Sequence, residues 1–329
     1  NAGEGSRATI TIELGQSVQS VQSVSLVDEN GAPVSGNAVE NLHFDPETGR
    51  LTFDVLHFSR YAIKYTTKET PESDYVAQIG NRKYMSFASA LAAVQNGQTI
   101  VMLKNDVLTK GQTITFKNNE SFTLDLNGQT ISIAETEFDF TANGTNSANG
   151  SIPARFAIVV NGNGTMYICD NSTNKLGRLE SKNNSYGTTK TILVNGNAVV
   201  NVNSGTIAAD YAAFYVVGYT GLEQIVPENS PIPSLNISGG KVVGQQIGVA
   251  LKGKTATVNI SGGEIVGTKT YGVSTNGTTD WYDGGHCRIN ISGGTIKSEN
   301  GLAMYLPAEA ITEITGGTIE GSTGIGVKG

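Results

Sequence analysis

The segment Val258-Asn-Ile-Ser-Gly-Gly-Glu-Ile265 recurs at three other places in the chain with few changes. Its copies are Leu235-Asn-Ile-Ser-Gly-Gly-Lys-Val242, Ile289-Asn-Ile-Ser-Gly-Gly-Thr-Ile296 and Thr312-Glu-Ile-Thr-Gly-Gly-Thr-Ile319, and Val200-Asn-Val-Asn-Ser-Gly-Thr-Ile207 is a looser fifth copy. The second glycine of each copy falls at Gly205, Gly240, Gly263, Gly294 and Gly317, which gives steps of 35, 23, 31 and 23 residues. Repetition at so short a period is the signature of a solenoid.

The residues of the repeat favour strands. Val258 and Ile260 alternate with Asn259, as in a strand that buries one face. The Gly-Gly pair supplies the sharp corner that a coil of strands requires. The leucine-rich repeat has a similar period, but its Leu/Asn consensus is missing. The sequence therefore predicts an all-β parallel solenoid with one coil per 23 residues, and a second short strand such as Tyr271-Gly-Val273 in each coil.

Two rows of side chains follow from this alignment. The inward row is an aliphatic stack of Ile237, Ile260, Ile291 and Ile314. The outward row is a surface line of Asn236, Asn259 and Asn290. We expect solvated surface along the asparagine row, with a binding strip as the alternative.

One helix is predicted ahead of the first coil. Ser86 is a good N-cap, Phe87, Leu91 and Val94 share a face, and Gly97 closes the segment. A terminal helix of this kind would cover the end of a solenoid. No comparable segment follows Val327, and we expect further coils beyond it.

The first part of the chain has a different pattern. Residues 1–66 contain short alternating segments and turns, which predict a small β-sandwich-like domain or the end of one. Residues 67–74 are polar and read as a linker. Residues 75–329 are assigned to the solenoid.

Composition excludes several classes of function. The 329 residues carry a net charge of −7 and only 16% charged residues, a composition that does not indicate a basic surface for binding nucleic acid. No run of 18 apolar residues is present, so no membrane-spanning segment is expected. Cys169 and Cys287 are too few for a disulfide framework or a metal site, and we expect two structural thiols in or beside strands.

A resemblance to a known family rests on residues 78–133. The stretches Tyr84-Met-Ser-Phe-Ala-Ser-Ala-Leu and Phe122-Thr-Leu-Asp-Leu-Asn-Gly-Gln-Thr-Ile131 resemble the opening of a pectin-lyase-like right-handed parallel β-helix. More narrowly, these stretches resemble the versions found in large modular surface proteins of Gram-positive, often gut-dwelling, bacteria. The resemblance implies a right-handed coil and an extracellular or cell-wall-attached location. It implies little about function, because this fold hosts lyases, hydrolases, adhesins and spacers.

No catalytic motif accompanies the resemblance. Enzymes of this fold carry clustered carboxylates with Arg or Lys on the outer face, and a hydrolase needs two carboxylates about 5–10 Å apart. The outward positions here hold Asn, Thr and Lys, with scattered Glu264, Glu313 and Glu320. Asp283-Gly-Gly-His286 is faintly similar to a polygalacturonase motif, but the preceding motifs are missing. We therefore predict no catalytic residues, no metal site and no cofactor; calcium is the alternative, but no motif indicates it.

The two long steps mark insertions, and these predict the binding site. One runs from Val217 to Pro233 and the other from Asn276 to His286. Insertions in solenoids often decorate the binding face. Both leave the same edge of the coil, two coils or about 10 Å apart. The candidate binding residues are Trp281, Tyr282, Asp280, Asp283 and His286 in the second insert, with Tyr219 and Glu223 in the first. The aromatic pair would stack on a sugar ring while the carboxylates bind its hydroxyls; the alternative is that Trp281 only anchors its loop.

Three functional hypotheses remain open. The first is a non-catalytic, monomeric region of a bacterial surface or secreted protein that acts as a rigid stalk or adhesin. Its partner would be a host or plant glycan or a surface protein. The second is a polysaccharide lyase or glycoside hydrolase. The third is an accessory region of a larger secreted enzyme.

Overall fold

The computed structural model describes residues 7–35, 39–56, 58–68, 71–143, 155–182, 188–220, 226–275, 287–307 and 310–327. The chain divides into two compact units, Asn1–Ser73 and Asp74–Gly329. Strands dominate both units, so the protein is all-β as predicted.

The first unit contains two antiparallel sheets. Its strands are β1 (Ala8–Glu13), β2 (Val18–Val27), β3 (Glu40–Asp45), β4 (Arg50–Val55) and β5 (Arg60–Thr67). One sheet has the order β1-β4-β3, and the other pairs β2 with β5. Val24 of the second sheet shares an apolar cluster with Leu51, Phe53 and Val55 of the first. The two sheets therefore bury a common face.

The second unit is built on one sheet of 21 strands. These are β6 (Ala77–Ile79), β7 (Arg82–Tyr84), β8 (Gln98–Met102), β9 (Asp106–Leu108), β10 (Gln112–Asp125), β11 (Thr130–Ile133), β12 (Phe156–Cys169), β13 (Arg178–Ser181), β14 (Lys190–Val194), β15 (Val199–Val202), β16 (Thr206–Ala209), β17 (Ala212–Val217), β18 (Ser234–Ile237), β19 (Lys241–Gly244), β20 (Ile247–Lys252), β21 (Thr257–Gly267), β22 (Tyr271–Thr275), β23 (Cys287–Ser298), β24 (Leu302–Leu306), β25 (Ala310–Glu320) and β26 (Thr323–Val327). β6 pairs antiparallel with β7 and β8, and the remaining pairs of this sheet are parallel.

The parallel strands align in three ladders. Ladder A contains β8, the second halves of β10 and β12, β15, β18 and the first halves of β21, β23 and β25. Ladder B contains β9, β11, β13, β16, β19 and the second halves of β21, β23 and β25. Ladder C contains the first halves of β10 and β12, then β14, β17, β20, β22, β24 and β26. The chain visits A, B and C in turn, a path consistent with a parallel β-helix.

The predicted aliphatic stack lies in ladder A. Ile237 pairs with Ile260, Ile260 with Ile291, and Ile291 with Ile314. The first three side chains are at most 2% exposed, whereas Ile314 is 44% exposed. Ile314 differs because β25 is paired with β23 on one side only within the described residues.

The Gly-Gly pair forms the corner between ladders A and B, as predicted. Gly263 has a φ of +76°, a left-handed conformation that favours glycine. The pairing of β21 with β23 shifts register around this point, so one long strand serves two ladders. Each coil therefore has three strand segments, where the sequence pattern indicated two.

The predicted helix is present but shorter than expected. Helix α1 spans Phe87–Ala93, and the side chain of its N-cap Ser86 accepts a hydrogen bond from the backbone N–H of Ser89. Val94 is already extended, so the helix ends before Gly97. Phe87 is fully buried in the main core of the second unit.

Candidate binding face

The strands of ladder C contain no Asp or Glu. Their segments, residues 112–116, 156–160, 190–194, 212–217, 247–252, 271–275, 302–306 and 323–327, carry only Lys190 and Lys252 as charged residues. Strand carboxylates of the second unit, such as Asp125, Glu264 and Glu320, lie in ladders A and B. We call the outward side chains of ladder C the ladder-C face. The charged residues of its strand segments are thus both lysines, in a protein whose net charge is −7.

Aromatic and aliphatic side chains cover the part of the ladder-C face that β12, β14 and β17 form. In β17, Phe214 belongs to the main core, whereas Tyr215 packs on a separate cluster of Phe156, Val159 and Leu193. The rings of Phe156 and Tyr215 meet edge to face, with centroids 6.0 Å apart. This part of the face is closed by its own packing, because Phe156 and Val159 are each 4% exposed.

Lys190 begins β14 at the rim of this cluster. Its ammonium lies 5.3 Å from the ring centroid of Phe156 and 5.0 Å from that of Tyr211. Burial, together with the positive charge of Arg155, lowers the pKa of Lys190 to about 8. The side chain is half-buried.

Two tyrosines form a stacked pair on the part of the ladder-C face that β22 and β24 form. The rings of Tyr271 and Tyr305 have centroids 4.7 Å apart and planes within 24° of parallel. Both side chains are half-buried. In register, Tyr215, Ala250, Ser274 and Tyr305 occupy one row across four coils. Ala250 and Ser274, the small residues between the two aromatic groups, are both buried, at 1% and 4% exposed.

Both long insertions leave from ladder C. The first follows β17 and the second follows β22, and β20 pairs with each of these strands. The two strands that precede the insertions are therefore two coils apart at the same edge.

Most of the predicted binding residues lie outside the described residues. This applies to Glu223, Asp280, Trp281, Tyr282, Asp283 and His286. Tyr219 is described and is half-buried. Its backbone N–H donates to Thr255 Oγ1 at 2.8 Å, which ties the start of the first insertion to the coil below. That Tyr219 and Trp281 share a site stays a prediction.

The sequence reasoning missed Lys190, Tyr271 and Tyr305. Their signal in the sequence was an aromatic or cationic residue in the short strands β14, β22 and β24. It was not readable without knowing that these short strands form a face of their own. Tyr271 and Tyr305, for example, are 34 residues apart and meet only because β22 pairs with β24.

The asparagine row forms a hydrogen-bonded ladder on the outside of ladder A. The amide of Asn236 donates to Asn201 at 2.8 Å, that of Asn259 to Asn236 at 2.7 Å, and that of Asn290 to Asn259 at 2.7 Å. The predicted alignment is confirmed, and it includes Asn201 of the looser repeat. Because each of these side-chain amides donates to the asparagine of the preceding coil, the row links successive coils.

Asp170 is fully buried at a corner between ladders A and B, and its carboxylate organises the local backbone. Its Oδ1 accepts from the N–H of Gly128 at 2.8 Å, and its Oδ2 accepts from the N–H of Gly177 at 2.6 Å. Burial alone would raise the pKa of Asp170, but hydrogen bonds from Ser172, Gly177 and Gly128 outweigh it and lower the pKa. Such a satisfied carboxylate is structural.

Glu264, one of the scattered outward glutamates, is also engaged. On ladder B its carboxylate forms ion pairs with Lys241, at 2.8 Å, and with Lys297. Partial burial opposes ionisation, but the hydrogen bonds from the two lysines prevail and lower the pKa of Glu264.

Neither cysteine is placed for catalysis. Cys169 and Cys287 are buried cysteines outside any disulfide, at a strand end and a strand start. Burial raises the pKa of both thiols to about 11, so they fit the predicted structural role. Within the described ranges no group of three or more His, Cys, Asp or Glu side chains is arranged to hold a metal ion.

Comparison with known proteins gives no relative: no family model, no curated protein and no solved structure matches this chain. In the part of the chain that the structure describes, no helix has the length and apolar character needed to cross a membrane.

Proposed function

We propose that residues 75–329 form a right-handed parallel β-helix, capped by α1, in a surface or secreted bacterial protein. It serves as a rigid stalk or adhesin module and binds glycans through the ladder-C face and the insertions that leave it. It performs no catalysis itself. A glycan of a host or plant surface is the partner that this chemistry favours.

The observation that carries the proposal is the stacked Tyr271–Tyr305 pair on a face whose strands have no carboxylate. Aromatic rings contribute large, rigid contact areas and are frequent hot spots of binding. Tyr271 lies in β22, directly before the second insertion, in which Trp281 and Tyr282 follow in sequence. A sugar chain that crosses the face would meet rings from both the coil and the insertion.

Two of the described carboxylates, Asp170 and Glu264, are engaged in structural contacts and are unsuited to glycoside hydrolysis. A glycoside hydrolase needs two free carboxyl groups about 5–10 Å apart. Asp170 is saturated by backbone N–H groups, and Glu264 is held between two lysines. The second insertion contributes Asp280 and Asp283, which lie outside the described residues, so turnover is measured directly in the experiment below.

The test is a glycan-array screen of the full chain and of Tyr271→Ala, Tyr305→Ala and Trp281→Ala. Tyr167→Ala is the matched control, because Tyr167 is 39% exposed on ladder A. Hits are remeasured by calorimetry and are checked for cleaved product. Loss of one stacking ring is expected to weaken binding by about tenfold or more, with Tyr167→Ala unchanged.

The other outcomes are equally clear. Equal losses in all four variants, or binding unchanged by loss of either Tyr271 or Tyr305, would refute the ladder-C face as the site. Cleavage of a bound glycan would replace the adhesin with the enzyme alternative. Absence of binding to any glycan would leave only the stalk role.

A further inference from the structure

Lys190 is held in an unusual setting for a cation. Its ammonium lies between the rings of Phe156 and Tyr211, and within the described residues it has no ion pair or hydrogen bond. Cation–π contacts of this kind are worth about 0.5–2 kcal/mol, depending on solvent exposure. They do not neutralise the charge.

A second cation lies nearby. Arg155 directly precedes Phe156, and its guanidinium is 5.9 Å from the ring centroid of Phe140. The backbone N–H of Lys190 donates to the carbonyl of Arg155 at 2.7 Å, so the two residues begin adjacent strands of ladder C. The strand segments of ladder C carry no Asp or Glu, and Asp210, next to Tyr211, is the carboxylate near this corner. Two cations close together favour the approach of an anion.

We propose that Lys190, with the rings of Phe156 and Tyr211, forms a subsite for a sulfate or carboxylate group of the ligand. This inference rests on the proposed function, because it names the class of glycan that the ladder-C face takes: an anionic one. The rings limit access of water to the ammonium, and a charge-assisted hydrogen bond gains strength in such a setting. Lys190 is only half-buried, so its side chain keeps the contact with solvent that an approaching oxyanion needs.

Binding is first measured with polymers. The probes are dextran, dextran sulfate and hyaluronan, which separate a neutral chain from a sulfated and a carboxylated one. Lys190→Gln is expected to weaken binding of the preferred anionic polymer by about 10- to 100-fold, and Lys190→Arg to retain most of it. The matched control is Lys269→Gln, since Lys269 is an exposed lysine in the turn before β22, and β22 lies three coils from β14 in ladder C.

A second readout does not depend on any polymer. The side-chain NMR signal of Lys190, assigned by its loss in Lys190→Gln, is titrated with pH in the presence and absence of inorganic sulfate. The charged or titratable groups around it are Arg155, Tyr211 and Asp210, the neighbour of Tyr211 in sequence. A bound anion stabilises the ammonium and is expected to raise the pKa of Lys190 above its value of about 8.

Each result decides a separate question. Equal weakening by Lys269→Gln, or a Lys190 pKa that sulfate leaves unmoved, would refute the subsite. Binding of neutral glycans that needs Tyr271 and Tyr305 but not Lys190 would refute the subsite while the proposed function stands. A sulfate response at Lys190 without binding of any glycan would support the anion subsite and refute glycan binding, which leaves only the stalk role.

Discussion

Replacing Gly263 by alanine tests the close approach of successive coils at the Gly-Gly corner. A Cβ at this position would lie 2.7 Å from the carbonyl oxygen of Gly239 and 2.8 Å from that of Gly240. These are backbone atoms of the coil before it, so they cannot move aside alone. The φ of +76° adds the strain of a left-handed alanine.

The magnitude follows from two separate costs. A left-handed alanine costs about 1–2 kcal/mol, and overpacking costs typically about 1–3 kcal/mol more. The control is Gly97→Ala: Gly97 has nearly the same φ, +77°, but an added Cβ would meet nothing within 4 Å. We therefore expect a loss of about 1–2 kcal/mol for Gly97→Ala and about 2–5 kcal/mol for Gly263→Ala.

Urea denaturation followed by far-UV circular dichroism gives the global loss for both variants. Hydrogen exchange locates it, because repeat proteins lose structure region by region. Protection should fall most in β21 and β23 of Gly263→Ala. Equal losses in the two variants would show that the backbone conformation, and not the contact between coils, accounts for the glycine.

Three further predictions follow from side-chain contacts. Asn259→Ala removes two hydrogen bonds between coils and should lower the free energy of unfolding, measured by urea denaturation, by about 1–3 kcal/mol. The control Thr257→Ala, on the same strand, should lower it by under about 0.5 kcal/mol. Equal losses would contradict a structural role for the asparagine ladder. Glu264→Gln removes two partly exposed ion pairs and should lower stability at pH 7 by no more than about 1 kcal/mol. Because the pKa of Glu264 is lowered in the fold, the ionised carboxylate stabilises the folded protein above its ordinary pKa of 4.5, and this stability is lost as pH falls through the lowered pKa. The melting temperatures of the original protein and of Glu264→Gln should therefore converge in that acidic range. A constant difference down to pH 2 would contradict the ion pairs. Cys169 and Cys287, whose thiol pKa is raised to about 11, should resist alkylation at pH 8 and react only after unfolding; rapid alkylation of the native protein would contradict their burial.

Much of the architecture was readable from local patterns. The alternation around Val258 and Ile260 indicates a half-buried strand, and the following Gly-Gly pair indicates its corner. The repeats also align Asn236, Asn259 and Asn290 without reference to any structure. The shorter helix shows the limit of such patterns, because tertiary context ends α1 at Ala93 although the apolar spacing continues to Val94.

The candidate site was less accessible to this reasoning. Unusual loop composition drew attention to Trp281 and its neighbours, since insertions are visible as breaks in the repeat. Tyr305 and Lys190 sit in ordinary strand segments and have no such signal. Their grouping depends on which strands form ladder C.

The sequence by itself determined that the chain repeats, that its strands bury one face and that glycines turn each coil, because these properties depend on neighbouring residues. Only the tertiary structure decided that the coil has three ladders and that one of them is free of carboxylates. It also brought Lys190 between Phe156 and Tyr211, which precede and follow it by 34 and 21 residues. The physical reason is that connections of unequal length restore the same register in each coil, so contacts between coils follow strand pairing and not sequence spacing.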